Sequence, residues 1–181
     1  MNEDLIQKGA TMMLQGIGCN LLDPNFKETP HRIAKVYKEL CNGLMVPPPI
    51  IKTFPTKYQG MVIVRPIITV GLCPHHFLPV EYNIAVGYIP TKKVIGLSKI
   101  PRLVEWLAHK PALQEDLTKE IVDSITQLLK PQGVICVVKG KHSCMRLRGV
   151  KQKSGEMITS HFSGDFEKIA PRNEFNSLIL K

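Results

Sequence analysis

The sequence predicts an α+β fold, a sheet carrying helices on one face. Three observations predict it. The β-branched runs Met61-Val62-Ile63-Val64 and Ile67-Ile68-Thr69-Val70 precede an alternating stretch from Tyr82 to Ile89, so strands come consecutively. Two helical stretches then follow as a pair, the second with apolar residues recurring at Leu117, Ile121, Ile125 and Leu128. Two further strands, Val134 to Val138 and Thr159 to Phe166, complete an order of consecutive strands and paired helices that suits segregated layers. A small sheet with open edges is also the kind that closes by oligomerising.

The elements follow in order. Residues 3–18 place Leu5, Ile6, Met12, Met13, Leu14 and Ile17 at helical spacing, and Asp23-Pro24-Asn25 ends that segment. Thr29-Pro30 opens a second helix, with threonine at the N-cap and proline at the first helical position. Ile33, Val36, Tyr37 and Leu40 form its apolar stripe, and Asn42-Gly43 closes it. Pro47-Pro48-Pro49 breaks regular structure and divides the chain into an N-terminal helical segment, residues 1–46, and a main domain, residues 47–181. Pro66, amid the β-branched runs, predicts an edge or a bulge. Ser98 caps a helix entered through Pro101, with Leu103, Val104 and Leu107 on its buried side. Pro131-Gln132-Gly133 stops the helix that runs from Leu113 to Leu129, and Pro171 to Leu180 reads as a short final helix.

Composition narrows the partners. No apolar run reaches about 18 residues, and the first residues lack a basic-then-apolar signal pattern, which predicts a soluble, cytoplasmic protein with no membrane partner. An odd count of five cysteines argues against a disulfide framework. Cys19, Cys41 and Cys136 sit among apolar or helix-end residues and read as small buried fillers. Lys and Arg outnumber Asp and Glu by 24 to 15, a net charge of +9 that suits an anionic partner: nucleic acid or a phosphorylated small molecule. The basic residues are scattered and aromatic residues are few, so no base-stacking platform is evident and nucleic acid is disfavoured.

The chemistry sits in Cys73-Pro74-His75-His76 and His142-Ser143-Cys144. Cys73 and His76 are spaced so that one turn presents both, and Cys144 arrives from a distant strand. Two thiolates and an imidazole make a zinc site with one free position, where a bound water has a pKa near 7. His142 or His75 taken as a fourth ligand makes the site structural instead; left outside it, either can move protons near neutral pH. Ser98, Lys99 and Arg102 lie at a helix start, where N–H groups and cations receive anions. Arg148 follows Cys144 closely and brings a positive charge to the same region. Gln114-Glu115 opens a helix; Glu115 there either complements the helix dipole or accepts from the N–H edge of a purine.

From about Glu28 to Phe175 the chain resembles GTP cyclohydrolase I of the zinc-dependent type. The resemblance is carried by Glu28-Thr29-Pro30-His31-Arg32-Ile33-Ala34-Lys35, Cys73-Pro74-His75-His76, Gly87-Tyr88-Ile89-Pro90 and Val94-Ile95-Gly96-Leu97-Ser98-Lys99-Ile100. Gln114-Glu115-Asp116-Leu117-Thr118, His142-Ser143-Cys144-Met145 and Arg148-Gly149-Val150 continue it. It implies the tunnelling fold, an antiparallel sheet backed by two helices after an N-terminal helical segment. It also implies a homodecamer of two pentamers with active sites at subunit boundaries. Cys73, His76 and Cys144 match zinc ligands, and His142 and His75 match catalytic histidines. Ser98, Lys99, Arg102 and Arg148 match triphosphate contacts, Arg32 a further basic position, and Gln114 and Glu115 contacts to ribose and guanine.

The implied reaction converts GTP and water to 7,8-dihydroneopterin triphosphate and formate, the first step of tetrahydrofolate and pterin biosynthesis. Hydration at C8, ring opening with a proton from His142, release of formate and rearrangement of the ribose make up the sequence of steps. One residue departs from the family pattern: Pro74 stands where the family usually has glutamate, and proline offers neither a carboxylate nor an N–H. Two other readings fit the motifs: a divergent member in a 7-deazaguanine or other pterin route, and a structural-zinc protein that binds nucleic acid.

Overall fold

The computed structural model describes residues 1–179, so Leu180 of the expected final helix lies outside the described residues. Helix α1 (Glu3–Gly16) is capped by Asn2, whose side-chain oxygen accepts from the Leu5 N–H at 2.9 Å. It stops well before Asp23-Pro24-Asn25, because Gly18 takes a φ of 86° that turns the chain out of the helix. Helix α2 (Thr29–Leu40) begins one residue earlier than its threonine suggests: Glu28 is the N-cap, and the Thr29 hydroxyl turns back to the Asn25 carbonyl. The two helices pack on each other around Ala10, Leu14 and Ala34 and are joined by an ion pair between Glu3 and Lys38. Leu5, Met12, Met13 and Ile17, expected on the apolar side of α1, stay exposed in the single chain.

After the prolines come β1 (Thr53–Pro55), β2 (Val62–Leu72), β3 (Pro79–Ile89), β4 (Lys93–Ile95), α3 (Lys99–Ala108), α4 (Gln114–Leu129), β5 (Gly133–His142), α5 (Ser143–Arg146), β6 (Met157–Gly164) and α6 (Ile169–Ile179). The main sheet has the order β2-β3-β5-β6, and every neighbouring pair is antiparallel. Its register slips between Val64 and Ile67, where Pro66 has no N–H for the ladder, so the predicted bulge is present. β1 and β4 form a separate two-stranded sheet that the sequence reading did not anticipate; three residues are too few to display alternation.

One face of the sheet presents Val80, Tyr82, Ile84, Val86 and Tyr88 of β3 with Val134, Cys136 and Val138 of β5. α3 covers it through Ile100, Leu103, Val104 and Leu107, and α4 through Leu117, Ile121, Val122 and Ile125. Leu128, expected in that stripe, is 48% exposed; Leu129, a full turn after Ile125, is buried in its place. The helices are not confined to one face. Phe175 of α6 and Phe166 pack on Ile135 from the other side, and Gly87 makes room for Phe175: a Cβ there would stand 2.7 Å from the Phe175 ring. The architecture is α+β, the tunnelling arrangement of an antiparallel sheet backed by two helices with a helical pair ahead of it. No described helix is long and apolar enough to cross a membrane.

Candidate metal centre

Strand register explains why residues 71 positions apart meet. Gly71 of β2 and His142 of β5 both pair with Val80, one on each side of β3. Cys73 lies two residues beyond Gly71, at the head of the β2–β3 loop, and Cys144 lies two residues beyond His142, in α5. Both chains therefore leave the sheet at the same end and bend over the start of β3. The loop is a closed turn: the Phe77 N–H donates to the Cys73 carbonyl at 2.9 Å and the Cys73 N–H to the Leu78 carbonyl at 3.0 Å. That turn brings His76 back over Cys73.

The ligand atoms of Cys73, His76 and Cys144 all lie within 4.8 Å of one another. The two sulfurs are 3.9 Å apart, and Cys73 Sγ is 3.8 Å from His76 Nδ1. Two sulfurs each about 2.3 Å from a tetrahedral ion stand about 3.8 Å apart, so the thiol pair has the spacing one metal ion requires. Electrostatics agree. Burial and the neighbouring Cys73 push the Cys144 thiol up, since two thiolates side by side repel; a cation between them removes that penalty. No fourth Cys, His, Asp or Glu joins the group among the described residues. Three protein ligands leave a position for an exchangeable molecule.

Around the cluster, the Arg148 guanidinium donates to His76 Nε2 at 2.9 Å, which turns Nδ1 toward the thiols. The His75 ring stands edge-on to His76 at 6.4 Å and is exposed. His142 is half-buried; burial lowers its pKa, and the charge of Glu115 pulls it the other way. Its ring meets the edge of Tyr82, a phenol pushed up to about 12 by burial, with Cys73 and Glu115 adding to the shift. Glu115 itself is exposed.

Gln114, expected at the substrate, points inward and is 1% exposed. Its amide nitrogen donates to the carbonyls of Val138 and Met157 and to Thr159 Oγ1, each at 3.1 Å, and its oxygen lies 2.9 Å from His142 Nε2. Both of its N–H hydrogens are thus taken up by the protein. Ser98, Lys99 and Arg102 sit at the start of α3, where Ser98 is the N-cap without a side-chain cap bond. No hydrogen bond or ion pair among the described residues ties these three to the metal cluster. Sequence reasoning missed Tyr82 and Gly140. The available signal was Gly140 itself, a glycine inside a strand, which marks a close approach: a Cβ there would lie 2.1 Å from Gln114 Oε1.

Comparison with known proteins is consistent over nearly the whole chain. A family model described as GTP cyclohydrolase I matches residues 6–180. A GTP cyclohydrolase 1 of Pelotomaculum thermopropionicum is 42% identical over 178 residues, 96% of this chain and 95% of that relative. One from Desulforamulus reducens is 43% identical over 183 residues, covering 97% of this chain and 96% of its own. Among solved structures, an apo archaeosine synthase QueF-Like is 15% identical over 60% of this chain and 96% of its own, with a TM-score of 0.46.

Proposed function

The chain belongs to the GTP cyclohydrolase I family, and on that premise we propose that Cys73, His76 and Cys144 hold a zinc ion at which GTP is hydrolysed. The enzyme converts GTP and water to 7,8-dihydroneopterin triphosphate and formate, at the entry to tetrahydrofolate and pterin biosynthesis. The observation that carries the metal assignment is the three-ligand cluster, whose sulfur separation of 3.9 Å suits a tetrahedral ion. Zinc, when bound, supplies Lewis acidity and a water whose pKa falls to about 7.

The side chains divide the remaining work. His142 gives a proton to the purine imidazole nitrogen as the ring opens, and His75, exposed beside the cluster, serves as a second proton carrier. The Glu115 carboxylate accepts from the paired N–H donors on the guanine edge. Ser98, Lys99, Arg102 and Arg148 receive the triphosphate, with Arg32 as a further cation, which accounts for the anionic partner that a net charge of +9 suits. Arg148 is suited to a change of partner. If His76 held the ion through the nitrogen that faces the thiols, its other nitrogen would carry the ring proton, and the Arg148 guanidinium, without its acceptor there, would be free to meet phosphate.

The assembly we propose is a homodecamer of two pentamers with active sites at subunit boundaries. Its support is the exposed apolar side of α1, the outer strands β2 and β6, and the lack of any hydrogen bond or ion pair between Ser98, Lys99 or Arg102 and the metal cluster among the described residues. A neighbouring subunit brings those groups to one substrate. Residues 1–46 then act as an assembly segment and residues 47–181 as the catalytic domain.

Pro74 fits the ligand turn. The turn's hydrogen bonds use the Cys73 N–H and carbonyl, the Phe77 N–H and the Leu78 carbonyl, so none needs an N–H at position 74. A proline compatible with its turn stabilises it by about 0.4–1 kcal/mol through the unfolded chain. Pro74→Glu is therefore expected to lower folding stability by about 0.4–1 kcal/mol in a denaturant melt; a variant more stable than the native protein contradicts this account of the turn.

The reading as a whole is tested with purified protein, its zinc measured per chain, incubated with GTP. A fluorescent pterin triphosphate and formate in equal amounts are expected, both lost on chelation and restored by zinc. A deazaguanine or other product identified by mass moves the enzyme to a different route. Salt-sensitive nucleic-acid binding without turnover makes the zinc structural.

A further inference from the structure

We infer that Gln114 is a positioning residue that holds the Nε2–H of His142 and leaves Nδ1 as the only ring nitrogen free to exchange a proton with substrate. The amide cannot be turned the other way. Its nitrogen faces two backbone carbonyls, Val138 and Met157, which only a donor satisfies. A ring of hydroxyls fixes the same sense: Gln114 Nε2 donates to Thr159 Oγ1, which lies 2.6 Å from Thr118 Oγ1, and Thr118 donates to the main-chain carbonyl of Gln114 at 2.6 Å. With Thr118 donating to that carbonyl, the hydroxyl of Thr159 donates to Thr118 and is left to accept from the amide. The Gln114 oxygen is thus aimed at His142 Nε2, 2.9 Å away, and an oxygen there demands a proton on that nitrogen.

The consequence is chemical. A histidine that keeps its Nε2–H bound to a fixed acceptor can gain and lose a proton only at Nδ1, and its ring cannot flip between exchanges. Gly140 is part of the device, because any side chain there would displace the Gln114 oxygen. The Tyr82 ring stands nearly perpendicular to the imidazole, with centroids 6.5 Å apart.

This inference rests on the reading of His142 as the proton donor, and its test is kept separate from that reading. Solid-state 15N NMR of zinc-loaded, full-length protein labelled at histidine is run at pH 8, where imidazole is neutral. His142 is assigned by its loss in His142→Gln. The Nε2–H tautomer is expected in the native protein. In Gln114→Met, and independently in Gly140→Ala, a mixture of tautomers is expected, with kcat lowered about 10–100-fold and KM for GTP nearly unchanged. An Nδ1–H tautomer in the native protein overturns the inference, whether or not either variant folds. So does a raised KM with kcat intact in Gln114→Met, which makes Gln114 a substrate contact. If His142→Ala keeps turning over GTP, the proton-donor reading fails, and the native tautomer still decides what Gln114 does.

Discussion

Cys144→Ser is expected to strip the zinc and lower formate release from GTP by at least about 10³-fold. Free water has a pKa near 15.7 against about 7 when zinc holds it, so losing the ion removes nearly all nucleophile available at neutral pH. Serine keeps the shape of the side chain, but its hydroxyl stays protonated at neutral pH and is a poor ligand where a thiolate is wanted. The fold is expected to survive, because Cys144 sits in the short α5 beyond the end of β5 and is only partly buried where it packs against the main core, and serine nearly matches its volume. Zinc content by elemental analysis and thermal melting of the variant check both halves. Full turnover with zinc retained contradicts the ligand assignment.

His142→Ala is expected to cost about 10²–10⁴-fold in kcat while zinc stays bound, the range for losing a positioned acid or base. The contrast with Cys144→Ser separates the two roles: one variant loses the ion, the other keeps it and loses proton transfer. His142 suits that task because it sits half-buried next to the cluster without being one of its ligands, and because Glu115 opposes the lowering effect of burial. Single-turnover kinetics with metal analysis on the same sample distinguish the cases. Unimpaired kcat in this variant removes His142 from the mechanism.

Much of this was legible in the chain because it rests on periodicity and local chemistry. The stripe of α4, the bulge at Pro66 and the Cys73–His76 spacing each depend on a few neighbouring residues. Their spatial meeting with Cys144 depends instead on register: Val80 pairs with both Gly71 and His142, which no local pattern announces. The burial of Gln114 was not legible for the same reason: its inward turn depends on Gly140, on another element, making room for it. The exposed side of α1 shows the converse: its apolar spacing was read correctly, yet Leu5, Met12 and Ile17 stay exposed among the described residues. Helical periodicity says that a face is apolar and not what it meets. The opposite-face packing of α6 escaped because its anchor, Phe175, is one aromatic residue in a short helix, and the glycine that admits it lies far off at position 87.

Anomalous diffraction at the zinc edge, from crystals of the protein, locates the ion against its three ligands. One peak per chain is expected, about 2.3 Å from Cys73 Sγ and Cys144 Sγ and about 2.0–2.1 Å from His76 Nδ1, with a solvent molecule or nucleotide in the fourth place. A peak elsewhere, or a fourth side chain closing the shell, contradicts a catalytic centre built from these three residues.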